Sequence, residues 1–246
     1  MKRTHAGGLL LGCLVTVFAV PVVAQDPPAN EIGAAFDLGF VSTGGTTEVT
    51  TLNIGDKVEY RAGPWVVTQR FSAVYGRTAD STSTSQWKAG LRGEYQVTPA
   101  VGFYALGRYE RNRFAGIARR FEEALGIAAT LMNGDGPDKL VVEAGASLNQ
   151  QTSYTTDSTQ RFAAGRAAFE YKRTFSGASD VTVGAEALPN LKTSDDYRIN
   201  AAAALTAPLS QRIALKLSYE VKYDNLPEPT FQKTDRIFTA GLQIVF

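Results

Sequence analysis

Apolar side chains recur at every second position along most of this chain. The clearest run is the last one, where Phe238, Ala240, Leu242, Ile244 and Phe246 alternate with Thr239, Gly241, Gln243 and Val245. A period of two places those five side chains on one face of a β-strand. The same alternation occurs over 32–40, 52–60, 65–75, 87–97, 101–109, 121–131, 140–148, 163–171, 181–187, 197–205 and 213–223. With the closing run this predicts twelve strands, and a single-chain bacterial barrel has an even number. Pro64, Pro99, Pro137, Pro189, Pro208, Pro227 and Pro229 all fall between the stripes. Proline has no N–H to give to a ladder, so these positions mark the connections.

The connections alternate in character. Those at 61–64, 98–100 and 175–177 are short, and those at 78–85, 111–119, 149–160 and 224–233 are longer and polar. Short turns on one side and longer loops on the other, with both termini on the short side, describe an up-and-down transmembrane β-barrel. The alternative is a soluble β-sandwich, which also alternates. Three features favour the barrel. Tyr60, Trp65, Tyr95, Tyr171 and Tyr223 lie near strand ends on the apolar face, as in an interfacial girdle. The strands run to about ten residues, the length of a tilted membrane crossing. The opposite face is charged on nearly every strand. Asp56 and Gln69 interrupt the apolar face, and a bulge at Gly55 is expected to turn Asp56 inward.

Both ends of the chain address the same compartment. A strand ending on a terminal aromatic is the signal read by the bacterial barrel assembly machinery, and Phe238, Ala240, Leu242, Ile244 and Phe246 supply it. At the other end, Lys2 and Arg3 precede an apolar run that closes on Val22-Val23-Ala24. This predicts a secretory signal peptide over 1–24, cut after Ala24, a short tail over 25–30 and a barrel over 31–246 in the outer membrane. Leu10-Leu11-Gly12-Cys13 resembles a lipoprotein box, but most of the apolar run follows it. A membrane anchor is disfavoured by Gly7, Gly8, Gly12 and Pro21.

Composition then narrows the chemistry. The only cysteine, Cys13, and the only histidine, His5, both lie in the predicted signal. A mature chain without either has no disulfide, no Ser-His-Asp or Cys-His site and no zinc site built on these ligands. No cofactor is expected. Loss of Lys2 and Arg3 leaves 23 basic against 24 acidic residues, which gives no footing for nucleic acid. Glu122/Glu123 and Asp195/Asp196 are paired carboxylates, but at loop edges they read as solvated charges, so no enzyme is expected.

The alternation assigns a mixed set of charges to the lumen: Arg70, Lys88, Arg92, Glu94, Arg108, Glu110, Glu143, Arg166, Glu170, Glu186, Arg198, Lys216 and Glu220, with Asp37, Lys57, Glu59, Lys172 and Lys222. Arg92/Glu94, Arg108/Glu110 and Glu170/Lys172 stand two apart and are candidate pairs. A strongly anion-selective pore would show a basic ladder instead. The interior is therefore either closed by ion pairs or a narrow passage between segregated walls. Small interior residues, among them Gly90, Ala124, Gly126, Gly145 and Ala202, are expected to leave room.

The segment 108–120 holds Asn112-Arg113-Phe114-Ala115-Gly116-Ile117. It resembles the central motif of the YdiY-like, salt-induced outer-membrane protein family, whose domain has no assigned function. That family usually has aspartate where Asn112 stands. The turn Ser42-Thr43-Gly44-Gly45-Thr46 and the stretch from Lys222 to Asp235 are also similar to family features. The resemblance implies an outer-membrane barrel and brings no substrate or catalytic residue. Asn112, Arg113, Phe114, Gly116 and Ile117 are a candidate outer loop, folded on the rim or tucked into the mouth. The expected role is a narrow, weakly selective channel or envelope-stress barrel. The alternative is a non-transporting protein acting through outer loops on lipopolysaccharide or a protein partner, with Arg111, Arg113, Arg119 and Arg120 as rim cations.

Overall fold

The computed structural model describes residues 30–43, 49–78, 81–133, 137–175 and 178–246. The predicted signal peptide, nearly all of the tail and the Gly44-Gly45-Thr46 turn lie outside the described residues. Twelve strands form: β1 (Glu31–Thr43), β2 (Val49–Ala62), β3 (Trp65–Thr78), β4 (Ser81–Thr98), β5 (Val101–Asn112), β6 (Ile117–Asn133), β7 (Asp138–Ser153), β8 (Thr159–Thr174), β9 (Asp180–Pro189), β10 (Tyr197–Pro208), β11 (Ile213–Asp224) and β12 (Thr234–Val245). Each pairs antiparallel with its chain neighbours, and β12 returns to β1 to close the ring. The seam is short, running from Ala35 opposite Val245 to Leu38 opposite Leu242. Phe246 extends it, its N–H donating to the Ala34 carbonyl at 2.9 Å and its carbonyl accepting from Ala34 at 3.3 Å. The terminal aromatic thus sits on the closure itself.

The sidedness is that of a membrane barrel. Leu125 (69 % exposed), Phe238 and Leu148 face outward, whereas Arg166 (6 % exposed), Glu186 and Arg198 are buried inside. In water this would be an inverted protein; in lipid it is the favourable arrangement. Aromatic contacts ring both ends. Trp65 meets Tyr95 edge-on at 5.0 Å near the end that holds the termini. Trp87, Tyr109 and Phe121 stack at 4.6 and 4.7 Å near the other, outer end.

Two expectations need correction. The outer connections at 78–85, 111–119 and 149–160 are shorter than the alternation indicates, because β3 runs to Thr78, β4 starts at Ser81, β6 starts at Ile117 and β7 runs to Ser153. Backbone pairing carries these strands past the lipid, where both faces meet water and the alternation vanishes. The bulge expected at Gly55 is absent. The register runs without a shift through Gly55 opposite Ser72, Asp56 opposite Phe71 and Lys57 opposite Arg70. Asp56 therefore stays on the outward face between Phe36 and Phe71, with one carboxylate oxygen buried and unpartnered.

Candidate functional site

Many of the charges on the inner face meet, more often between strands, neighbouring or opposite, than along single ones. At mid-height Arg166 of β8 donates to Glu186 of β9 at 2.7 Å, to Glu143 of β7, and to the Tyr104 hydroxyl of β5 at 2.6 Å. Arg108 of β5 reaches Glu186 four strands away, at 2.7 and 2.9 Å. Arg92 of β4 holds Glu94 at 2.6 Å and Glu143 at 2.9 Å. Each buried carboxylate thus meets one or two guanidinium groups, as burial of charge requires.

Tyr104 is the apolar centre of this cluster, and the alternation gave no reason to single it out. Its ring lies 4.2 Å from the Arg92 guanidinium and 5.2 Å from that of Arg166, within cation–π range. It packs flat over Gly126 and Gly145, where an added Cβ would come within 2.5 and 2.8 Å of its hydroxyl. The expectation that these glycines leave room is corrected: Tyr104 occupies the space. Leu106, Ala124 and Ala128 pack with it. Glycines facing each other on adjacent lumen strands, level with an inward aromatic, were the available signal.

Nearer the outer mouth, side chains span the lumen. Lys222 of β11 donates to Glu110 of β5 at 2.6 Å and to Gln86 of β4 at 2.9 Å. β5 and β11 stand six places apart in the ring of twelve, directly opposite one another. Lys88 of β4 reaches Glu220 of β11 at 3.3 Å, and Arg120 of β6 lies 3.3 Å from Glu110 and 3.7 Å from Asp224. Arg198 of β10 donates to Asn149 of β7 at 2.7 Å. Of the three candidate same-strand pairs, only Arg92/Glu94 forms. Arg108 and Glu110 take partners on other strands, and Lys172 takes Asp180 at 3.5 Å instead of Glu170. Long side chains on a narrow barrel find opposite charges across the gap.

The wall from β1 to β4, with β11 and β12, is wetter. Arg70 is exposed within it, and Lys216 donates to Asp37 at 2.6 Å with both side chains about a third exposed. On the opposite wall Tyr104, Arg166, Glu186 and Arg198 are buried, whereas Glu170 on β8 is exposed.

Two outer loops meet above the cross-lumen pairs. After Asn112 comes a single 3-10 turn, Arg113–Ala115. Asn112 accepts from the Ala115 N–H at 3.2 Å and donates to Gln86 at 3.1 Å, so it caps the turn and ties it to β4. Gly116 has a φ of 72° and lies against the loop between β11 and β12: a Cβ there would meet Glu228 and the Phe231 ring at 2.8 Å. Gln151 donates to Glu228 at 3.1 Å, which seats that loop on β7. Ile117 is buried, Arg113 lies over the Tyr154 ring at 5.5 Å and Arg119 donates to Thr152 at 3.1 Å. The side chain of Phe114 lies outside the described residues. Beneath the loops a cavity of about 30 Å³ remains, bordered by Glu110, Arg120, Arg198 and Lys222, which is room for ordered water.

A closed antiparallel ring with an apolar outer belt and a charged interior is a β-barrel of the outer-membrane type. The fold is similar to that of a NanC porin, with a TM-score of 0.51 at 8 % identity over 85 % of this chain and 98 % of that one. It is also similar to the COG4313 outer membrane channel from Pseudomonas putida F1, with a TM-score of 0.50 at 10 % identity over 92 % and 96 % of the two chains. At such identities the likeness is one of fold alone. Residues 36–246 match the model of a family described as "Protein of unknown function, DUF481", and the chain belongs to that family. No curated protein matches its sequence.

Proposed function

We propose that this protein is a bacterial outer-membrane barrel whose resting lumen is held shut by ion pairs, a narrow gated conduit rather than an open porin. The observation that carries the reading is the bond between Lys222 and Glu110 on opposite strands, under two outer loops that touch. An open pore needs water where those side chains sit. The solvated charges Arg70, Lys216 and Asp37 support a conduit over a purely structural barrel, because they leave part of the inner face open to water. The chain performs no catalysis in this reading and requires no cofactor. Delivery depends on removal of the first 24 residues, and insertion on recognition of the outward stripe Phe238, Ala240, Leu242, Ile244 and Phe246 by the assembly machinery. The rim cations Arg111, Arg113 and Arg119 face the headgroup level, where anionic lipopolysaccharide would meet them. Liposome swelling tests the reading. Vesicles carrying the refolded protein should exclude small sugars and amino acids as empty vesicles do, and swelling that rises with protein content would defeat it.

A further inference from the structure

The outward face carries a feature that an inert lipid contact does not need. Leu91, Gly107, Glu123 and Leu148 follow one another across β4, β5, β6 and β7 in a single row of register. Glu122 and Glu123, adjacent in sequence, thus go to opposite sides: Glu122 is buried in the lumen beside Arg108 at 3.6 Å, and Glu123 is exposed on the lipid side. The sequence reading of both as solvated loop-edge charges is corrected: both lie inside β6, several residues in from its start at Ile117. Glu123 has no polar partner among the described residues.

Its surroundings form a groove of about 630 Å³, floored by Ala105 and Gly107 and walled by Leu91, Leu125 and Leu148. The groove is built by absence: a Cβ added at Gly107 or at neighbouring Gly93 would meet nothing within 4 Å. Glu123 stands two residues deeper than Phe121, whose ring belongs to the outer aromatic belt, so the carboxylate lies about 7 Å down the strand from it. The carboxylate therefore stands on the lipid-facing side of the barrel, below that belt. A carboxylate facing hydrocarbon is unfavourable unless a cation neutralises it. A phosphate would be repelled.

We propose that this groove binds one lipid or lipid-like amphiphile that carries a primary ammonium group, its chain lying over Gly107 and Ala105 and its head paired with Glu123. The proposal rests on the barrel lying in a bilayer, but not on whether its lumen is shut. Native mass spectrometry of the refolded full-length mature barrel, released from neutral micelles doped with dodecylamine or dodecanol, tests it. The wild type should retain one dodecylamine at least tenfold more often than dodecanol. Glu123→Gln should abolish that preference, and Gly107→Leu, whose Cβ would meet nothing within 4 Å, should abolish retention of both. Equal retention of dodecylamine by wild type and Glu123→Gln overturns the proposal, as does no retention by the wild type. A wild-type dimer dispersed by Gly107→Leu would overturn it in favour of a second copy as the occupant. Conductance distinguishes a failure here from a failure of the closed-lumen reading.

Discussion

Lys222 and Glu110 meet across the full width of the barrel, Nζ to Oε1 at 2.6 Å, although β11 and β5 share no ladder. A bond between opposite walls both braces the ring and blocks it.

Removing one partner should cost more than removing the pair. Glu110→Gln leaves Lys222 without its carboxylate and Arg120 with only the more distant Asp224, and loss of one member of a buried pair costs about 3 kcal/mol. Urea unfolding of the refolded barrel, followed by the heat-modifiable gel shift, should show that loss. The double variant Glu110→Gln with Lys222→Met, which removes both charges, should recover part of it. An unchanged midpoint for Glu110→Gln would mean that the bond is not made in the membrane.

Tyr104 should behave as a packed core residue although it lies in a lumen. Tyr104→Phe removes the bond from Arg166 and should cost about 1 kcal/mol, whereas Tyr104→Ala adds a cavity and should cost about 3 kcal/mol or more. Gly126→Ala should fold poorly, because its Cβ would lie 2.4 Å from the Ala144 carbonyl, a backbone atom that cannot step aside. The same unfolding titration ranks the three.

Asp56 should be a site where substitution helps. It faces lipid between Phe36 and Phe71 with an unpartnered oxygen, near the middle of β2. Asp56→Val is expected to stabilise the barrel by about 1–2 kcal/mol, since carboxylates on the lipid face cost somewhat less than the basic residues measured there. A lower urea midpoint would show that Asp56 has a partner in the membrane.

The two outer loops should loosen together. Gly116→Val places a branched side chain at a positive φ and into the Phe231 ring. Amide exchange over 225–233 should accelerate while the middle of β11 keeps its protection. Uniform protection would mean that the loops are held independently.

The barrel was legible in the sequence because lipid imposes a strict period of two on every crossing, and proline cannot enter the ladders. The same period puts Arg92, Arg108, Glu143, Arg166 and Glu186 on one face of their strands, where they meet. Their partners were not legible: Arg108 chooses Glu186 over its strand neighbour Glu110 because of the ring's diameter and tilt, which no local pattern encodes. Tyr104 was missed because one inward aromatic does not disturb an alternation. Glu123 was misassigned because an acidic pair was read as surface charge, although the 121–131 stripe already sets Glu123 between Phe121 and Leu125. The Arg113–Ala115 turn and its contact with the last loop depend on Gly116, whose motif could suggest a turn but not what packs on it.

The most direct test of a shut lumen is single-channel recording in a planar bilayer, comparing wild type with the double variant Lys88→Ala/Lys222→Ala. The wild type should give no reproducible steps, and the variant, stripped of the side chains that reach Glu220 and Glu110, should give discrete ones. Steady wild-type steps of the same size as the variant's would contradict a lumen closed by these ion pairs.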